Sequence, residues 1–338
     1  MAIKSVAVIY GSDSSEWEIS QRSGEFTASR IDEFKYDVYE VFARFGAWNL
    51  VAMRKSGSMR VTFPEGACPE IDKSDFSVTI LGEKVKFDFA YIMQHGAPGE
   101  TGLLQGYLEM LGVPFSTCSA FVTTVAFDKY SCKSYIKDLP FVKFAKDLLV
   151  RQGDDLDAFV AAASSSLRLP LFVKPTSGGS SFGITKVTSF DKLAEAVRFA
   201  FSENETVLVE EGIPCDHELT CAVYRGEKGL TALPVIEIIS ETGWFDYDAK
   251  YNGRSREVCP AEIPEALSSR IQEITKGIYR RLGCKGLVRM DYIVSGDDVW
   301  FLEVNIIPGM TNASLVPKMV RASGRDITSF LTEIIEHS

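Results

Sequence analysis

The sequence predicts an α/β protein made of an opening α/β domain and two further modules. Three observations carry that prediction. A chain of 338 residues exceeds one ordinary compact core. The apolar run Val6-Ala7-Val8-Ile9-Tyr10 enters a small polar loop, Gly11-Ser12-Asp13-Ser14-Ser15-Glu16, and a helical pattern follows. That is a strand–turn–helix opening. Near the other end, two apolar runs flank Ser295-Gly296-Asp297-Asp298, which reads as a β-hairpin.

Composition narrows the function classes. Apolar residues make up 46% of the chain and charged ones 24%, as in ordinary soluble proteins. With 36 basic and 46 acidic residues the net charge is −10, which argues against a nucleic-acid surface as the main partner. The seven cysteines are odd in number and widely spaced. They form neither a disulfide framework nor a zinc motif and read as small buried or half-buried residues in a reducing compartment. No charged leader precedes the first strand, and no run approaches the roughly 20 apolar residues that span a bilayer. The expectation is a soluble cytoplasmic protein with no membrane partner.

The elements follow in order. In residues 1–127, a second buried strand, Phe89-Ala90-Tyr91-Ile92-Met93-Gln94, ends at the loop His95-Gly96-Ala97-Pro98-Gly99-Glu100. Open α/β sheets bind ligands at such strand ends. Neither Gly-x-Gly-x-x-Gly after the first strand nor a Walker A sequence is present, which disfavours an NAD-dependent oxidoreductase. Residues 128–210 read as a small α+β module. Asp128-Lys129 opens a helix, Leu171-Phe172-Val173-Lys174-Pro175 is a strand, and Thr176-Ser177-Gly178-Gly179-Ser180-Ser181-Phe182-Gly183 is a mobile flap. A helical stretch then leads to the strand Thr206-Val207-Leu208-Val209-Glu210. In residues 211–338, strands precede a helix over residues 264–282. Its Leu267, Ile271, Ile274, Ile278 and Leu282 keep helical spacing, and Gly283 supplies the stop. The hairpin follows, and Asp326 is a good N-cap for a terminal helix.

The hairpin carries the sharpest chemistry. With the turn centred on Asp297, Asp291 faces Glu303 and Arg289 faces Asn305, all on one face. Facing carboxylates repel and call for a compensating cation. Carboxylate and amide oxygens suit Mg²⁺, which takes its remaining ligands from water and phosphates; the plainer alternative is a solvated hairpin with surface acids. The flap offers backbone N–H groups and hydroxyls to an anion, with Lys174 within reach. Alone it reads equally as a connector. The stretch Phe245-Asp246-Tyr247-Asp248-Ala249-Lys250-Tyr251-Asn252-Gly253 is either an exposed loop or one folded over a polar site. His95 is either a structural histidine or a site residue.

Taken in order, these pieces resemble a known family. Glu16 in its Ser-rich loop comes first. The run His95-Gly96-Ala97-Pro98-Gly99-Glu100-Thr101-Gly102-Leu103-Leu104-Gln105-Gly106 and the flap after Lys174-Pro175 follow. Then come Asp246-Tyr247-Asp248-Ala249-Lys250-Tyr251, Arg289-x-Asp291, Glu303-x-Asn305-x-x-Pro308-Gly309-Met310-Thr311 and Ser314-Leu315. Together they resemble the D-alanine–D-alanine ligases of the ATP-grasp superfamily, over essentially the whole chain.

The resemblance implies an N-terminal Rossmann-like (pre-ATP-grasp) domain followed by a two-module ATP-grasp fold. It implies that Lys129, Lys174 and Lys250 reach the phosphates of ATP beneath the flap with Ser181. Glu210, Glu211 and Ile213 border the adenine, and Glu218 meets the ribose. Asp291, Glu303 and Asn305 hold two Mg²⁺ ions, with Mn²⁺ an alternative. Glu16, linked to Ser180 and Tyr251, grips the first D-alanine, with His95 beside it. Arg289 and the Gly309 N–H stabilise the tetrahedral oxyanion, and Ser314 binds the second carboxylate. A homodimer is implied as well. Thr101, Ile306 and Ile307 depart from the family's usual pattern and bear on the acceptor. The implied activity is synthesis of D-alanyl-D-alanine for peptidoglycan. The alternatives are a related ATP-grasp carboxylate–amine or carboxylate–hydroxyl ligase and a catalytically silent nucleotide-binding regulator.

Overall fold

The computed structural model describes residues 3–179, 182–240 and 255–338. The opening apolar run forms strand β1 (Lys4–Gly11), buried along nearly its whole length, and α1 (Trp17–Arg30) returns across it. Strands β2 (Tyr36–Arg44), β3 (Ala47–Arg54) and β4 (Val61–Thr62) follow, then a small sheet of β5 (Ile71–Asp72), β6 (Ser77–Ile80) and β7 (Glu83–Lys86). With β8 (Phe89–Ile92), the first sheet has the order β4-β3-β2-β1-β8, parallel around β1 and antiparallel at β2–β3. Buried Val6, Val8 and Ile9 explain the continuous apolar reading of β1, as expected of a strand covered on both faces.

Helices α2 (Leu103–Leu111), α3 (Ala120–Phe127) and α4 (Lys129–Ile136) come next, α4 with Asp128 as N-cap accepting from the Ser131 N–H. A four-stranded antiparallel sheet runs β11-β10-β12-β9. Its members are β9 (Asp147–Arg151), β10 (Leu171–Pro175), β11 (Thr185–Val187) and β12 (Thr206–Glu211), backed by α5 (Leu156–Ser166) and α6 (Leu193–Ala200). A six-stranded sheet follows, from β13 (His217–Gly226), β14 (Gly229–Ala232), β15 (Ile236–Ser240), β16 (Ser255–Val258), β17 (Leu287–Ser295) and β18 (Asp298–Asn305). The long helix α7 (Glu265–Leu282) ends at Gly283 with φ +72°, a left-handed stop that glycine adopts without strain. Helices α8 (Leu315–Ala322) and α9 (Ile327–His337) close the chain, with Asp326 capping α9.

Among the described residues, three cores hold these layers together. Helices α8 and α9 share one with the first sheet, through Val316, Met319, Phe330 and Leu331. Helices α3 and α4 share a second with α7 and the six-stranded sheet. The third lies under the four-stranded sheet. No helix among the described residues is long and apolar enough to cross a membrane.

Two details correct the sequence reading. The hairpin turn is the two-residue Gly296-Asp297, with Ser295 facing Asp298, rather than a loop centred on Asp297. A bulge then shifts the register by one residue, so Asp291 faces Glu303 and Arg289 faces Asn305 as expected. Cysteines 118, 132, 221 and 284 are buried and 68 and 259 half-buried, but Cys215 is exposed.

Candidate active site

The site begins with the bulged hairpin. Arg289 donates two hydrogen bonds to Asp291, Nε to Oδ1 at 3.0 Å and Nη2 to Oδ2 at 2.9 Å. Asn305 Nδ2 donates to Asp291 Oδ2 at 3.0 Å, and Thr220 Oγ1, on neighbouring β13, donates to Oδ1 at 2.5 Å. Lys129 Nζ lies 3.7 Å from Glu303 Oε2. Thus the facing carboxylates are compensated by two protein cations, one on the hairpin and one at the start of α4. Burial opposes the charge on Arg289, but Asp291, Glu303 and Glu100 outweigh it and raise its pKa.

Between the four-stranded and six-stranded sheets lies a cleft. Phe172 lines one side, Ile293, Trp300 and Phe301 the other. Lys129, Lys174, Glu210, Glu211, Ile213 and Glu218, the residues expected around a nucleotide, all line this one cleft. Lys174 and Glu210 form a buried ion pair, and Glu210 also pairs with Lys133. Glu211 accepts from the Arg168 backbone N–H at 3.0 Å.

Toward the flap, Lys129, Gly178, Gly179, Phe182, Glu303 and Asn305 line a second hollow. Lys129 Nζ donates to the Gly178 carbonyl at 3.1 Å, tying α4 to the flap. Gly179 presses on Glu16: a Cβ there would lie 2.2 Å from Glu16 Oε2, so only glycine fits without a shift. Ser180, Ser181, Lys250, Tyr251 and the loop of residues 245–253 lie outside the described residues.

The third cavity joins the first sheet to the hairpin end. Glu16, His95, Arg289, Asn305, Gly309 and Ser314 line it, so every described residue assigned to amino-acid binding or to oxyanion stabilisation opens onto one space. His95 is buried and shares a 3.2 Å hydrogen bond with Ser23 Oγ. Burial, with Arg289 nearby, lowers its pKa to about 4 against the bond to the Ile307 backbone, so it is neutral at pH 7. Ser314 Oγ accepts from the Thr311 N–H at 2.9 Å and sits beside Gly309. Of the two departing isoleucines, Ile307 lines the cavity while Ile306 packs into the second core.

Glu100, in the site, and Lys133, behind it, are residues to which the sequence alone assigns no role. Glu100 accepts from the Gly96 N–H at 2.7 Å and lines both the flap hollow and this third cavity. Burial first, and then the Glu16 charge, raise its pKa to about 8. Its place in the Gly-rich run after a strand end was the available signal. Lys133 had none, because a lysine one turn after Lys129 looks solvated on sequence grounds.

A cleft between two sheets, an adjoining hollow lined by Gly178 and Gly179, and a carboxylate hairpin that borders both define an ATP-grasp fold behind an N-terminal α/β domain. Comparison with known proteins gives the family. Residues 5–118 match the model of the D-ala D-ala ligase N-terminus, and residues 135–336 that of the D-ala D-ala ligase C-terminus. A D-alanine–D-alanine ligase of Phocaeicola vulgatus is 40% identical over 335 residues, 99% of each chain. Among solved structures, the VanG D-Ala:D-Ser ligase from Enterococcus faecalis superposes with a TM-score of 0.86 at 30% identity, covering 99% of both chains. The Bacillus anthracis D-alanine–D-alanine ligase complexed with ATP gives 0.75 at 26% identity, covering 99% of this chain and 97% of that one. The chain belongs to the D-alanine–D-alanine ligase family.

Proposed function

We propose that this protein is an ATP-dependent carbon–nitrogen ligase that joins two D-alanines into D-alanyl-D-alanine for peptidoglycan synthesis in the cytoplasm. The observation that carries the reading is the position of the Arg289–Asp291–Asn305 cluster. It opens on one side to the cleft that holds Lys174 and Glu218 and on the other to the cavity that holds Glu16 and His95. A phosphoryl donor in the first and an amino acid in the second meet there. The three-part division at residues 1–127, 128–210 and 211–338 and a homodimer belong to the same proposal.

Asp291, Glu303 and Asn305 offer oxygen donors only, on one face of the hairpin, and so fit Mg²⁺ or Mn²⁺. Two such ions would neutralise charge on the transferring phosphoryl group. In the first step the carboxylate oxygen of the donor D-alanine attacks the γ-phosphorus, the P–O bond to ADP breaks, and an acylphosphate forms. In the second step the amine of the acceptor attacks the acyl carbon. Inorganic phosphate leaves with the C–O bond electrons and takes up the proton that the nitrogen gives up. Lys129, Lys174 and Lys250 hold the phosphates, with Ser181 on the flap. Glu210, Glu211 and Ile213 face the base, and Glu218 the ribose. Glu16, with Ser180 and Tyr251, holds the donor ammonium beside His95, and Ser314 the acceptor carboxylate. Arg289 and the Gly309 N–H face the tetrahedral oxyanion, where preorganised donors act most strongly. The flap excludes water, which would otherwise hydrolyse the acylphosphate.

The test is phosphate release from Mg-ATP with D-alanine, L-alanine, D-serine and D-lactate supplied separately and in pairs with D-alanine, the product identified by mass. D-alanine-dependent release with D-alanyl-D-alanine as product is expected. Preferential use of D-serine or D-lactate as acceptor would replace the substrate assignment, and no release with any of them would overturn the ligase reading.

A further inference from the structure

Asp147 and Glu210 face each other directly across the β9–β12 pair. Facing carboxylates on one sheet surface repel, the more so in a buried setting. Glu210 is only 6% exposed, so water does little to relieve it. The Lys133 ammonium, delivered from α4, lies between the two and pairs with both. It also donates to the Ala145 carbonyl at 3.2 Å, so three fixed acceptors hold it. Glu210 offers Oε1 to Lys133 and Oε2 to Lys174 on the adjacent strand β10. The charges therefore alternate along one line: Asp147, Lys133, Glu210, Lys174.

From this arrangement we infer that Lys133 is a positioning residue for the nucleotide, acting through Glu210 to fix the Lys174 ammonium at the cleft. Lys133 itself is 95% buried and is not among the cleft-lining residues, whereas Glu210 and Lys174 both line the cleft. Burial alone would raise the pKa of Glu210, but Lys174 and Lys133 together hold it below the ordinary value. Without Lys133, no cation among the described residues lies between Glu210 and the facing Asp147, and Glu210 keeps only Lys174 against that repulsion. It then takes up a proton or turns away, and in either case its grip on Lys174 loosens. The inference rests on the nucleotide reading of the cleft.

The experiment measures binding of a non-hydrolysable ATP analogue with Mg²⁺ to the full chain by calorimetry, and steady-state KM values for each substrate. K133M is expected to weaken analogue binding at least tenfold and to raise KM for ATP by a similar factor, leaving KM for the amino acid within twofold. K133M/D147N should recover most of that loss, because removing the facing carboxylate removes the repulsion. A lysine that only fills space would give a double variant no better than K133M. Circular dichroism and thermal melts verify that each variant is folded. An unfolded K133M shifts the test to K133Q, which keeps a polar donor and should show the same split. Analogue binding by folded K133M or K133Q equal to wild type, or no recovery in the double variant, overturns the inference. If the wild-type chain itself binds no analogue, the nucleotide reading fails and this inference with it.

Discussion

Arg289 holds two positions at once. It neutralises Asp291 through two hydrogen bonds and lines the cavity it shares with Glu16 and His95. Replacing it with alanine should leave the cleft between the two sheets formed while removing the oxyanion donor proposed above. R289A is expected to lower turnover by about 10²–10³-fold and to bind the ATP analogue within a few-fold of wild type. Retained turnover would sink the role assigned to it. His95 allows a pH test. Its folded pKa lies near 4 against an ordinary 6.5, chiefly through burial. Below pH 6.5 the unfolded chain takes up a proton that the folded chain refuses. Stability is therefore present above pH 6.5 and lost as pH falls through about 4. A shift of this size corresponds to roughly 3 kcal/mol at full effect. Denaturant melts at pH 7 and pH 4.5 should show H95N losing less stability than wild type over that interval; equal losses would contradict the buried neutral imidazole.

At the scale of elements, strands and helices with strong periodicity were legible in the sequence. Helix α7 with its Gly283 stop and α9 with its Asp326 cap lie where spacing and capping residues put them. The carboxylate pairing of the hairpin and its Ser295-Gly296-Asp297-Asp298 turn were legible too, although the turn's exact centre was not. Gly296-Asp297 closes a tighter loop, and the bulge beside Asp291 restores the facing pairs. Bulges depend on local twist and leave no pattern in a single sequence. The small sheet β5-β6-β7 leaves no signal in the sequence, because its strands are two to four residues long and carry no readable period. Lys133 was invisible for a different reason: its two carboxylate partners lie 14 and 77 residues away.

The same scale gives a paired glycine test. Gly24 in α1 lets the helix lie against Tyr10, where an added Cβ would come within 2.2 Å of the ring. That ring is buried, and its hydroxyl donates to Glu40 at 3.1 Å, so it cannot retreat. G24A should cost about 1–3 kcal/mol. Gly277 in α7 meets only the far edge of the partly exposed Phe141 ring. There alanine gains up to about 1 kcal/mol of helix propensity, and G277A should be neutral or stabilising. Thermal melts of the two variants decide; a stable G24A would mean that the helix can slide away from β1.

For the molecule as a whole, the cores do not follow the order of the chain. The first sheet is completed by the last two helices. Val316, Met319, Val320, Phe330, Leu331, Ile334 and Ile335 are all buried in the same cluster as Val6, Val8 and Ile9. Glu336 adds an ion pair to Lys4 at 2.8 Å and a hydrogen bond from Tyr36 at 2.5 Å. A fully buried side chain of this kind contributes about 1.5–3 kcal/mol. A handful of them matches the roughly 5–15 kcal/mol that holds a whole domain folded. A fragment of residues 1–127 therefore keeps its strands but loses a face of its core. It should show far-UV circular dichroism without near-UV signal, and it should bind a hydrophobic dye. Adding residues 312–338 as a separate peptide should restore near-UV signal in proportion to its affinity. A fragment that unfolds cooperatively by itself, with native near-UV signal and no dye binding, would show that the terminal helices only cap an already sufficient core. Glu16 and Ser314, at opposite ends of the chain, would then fold independently, whereas a fragment without near-UV signal would tie both to one folding event.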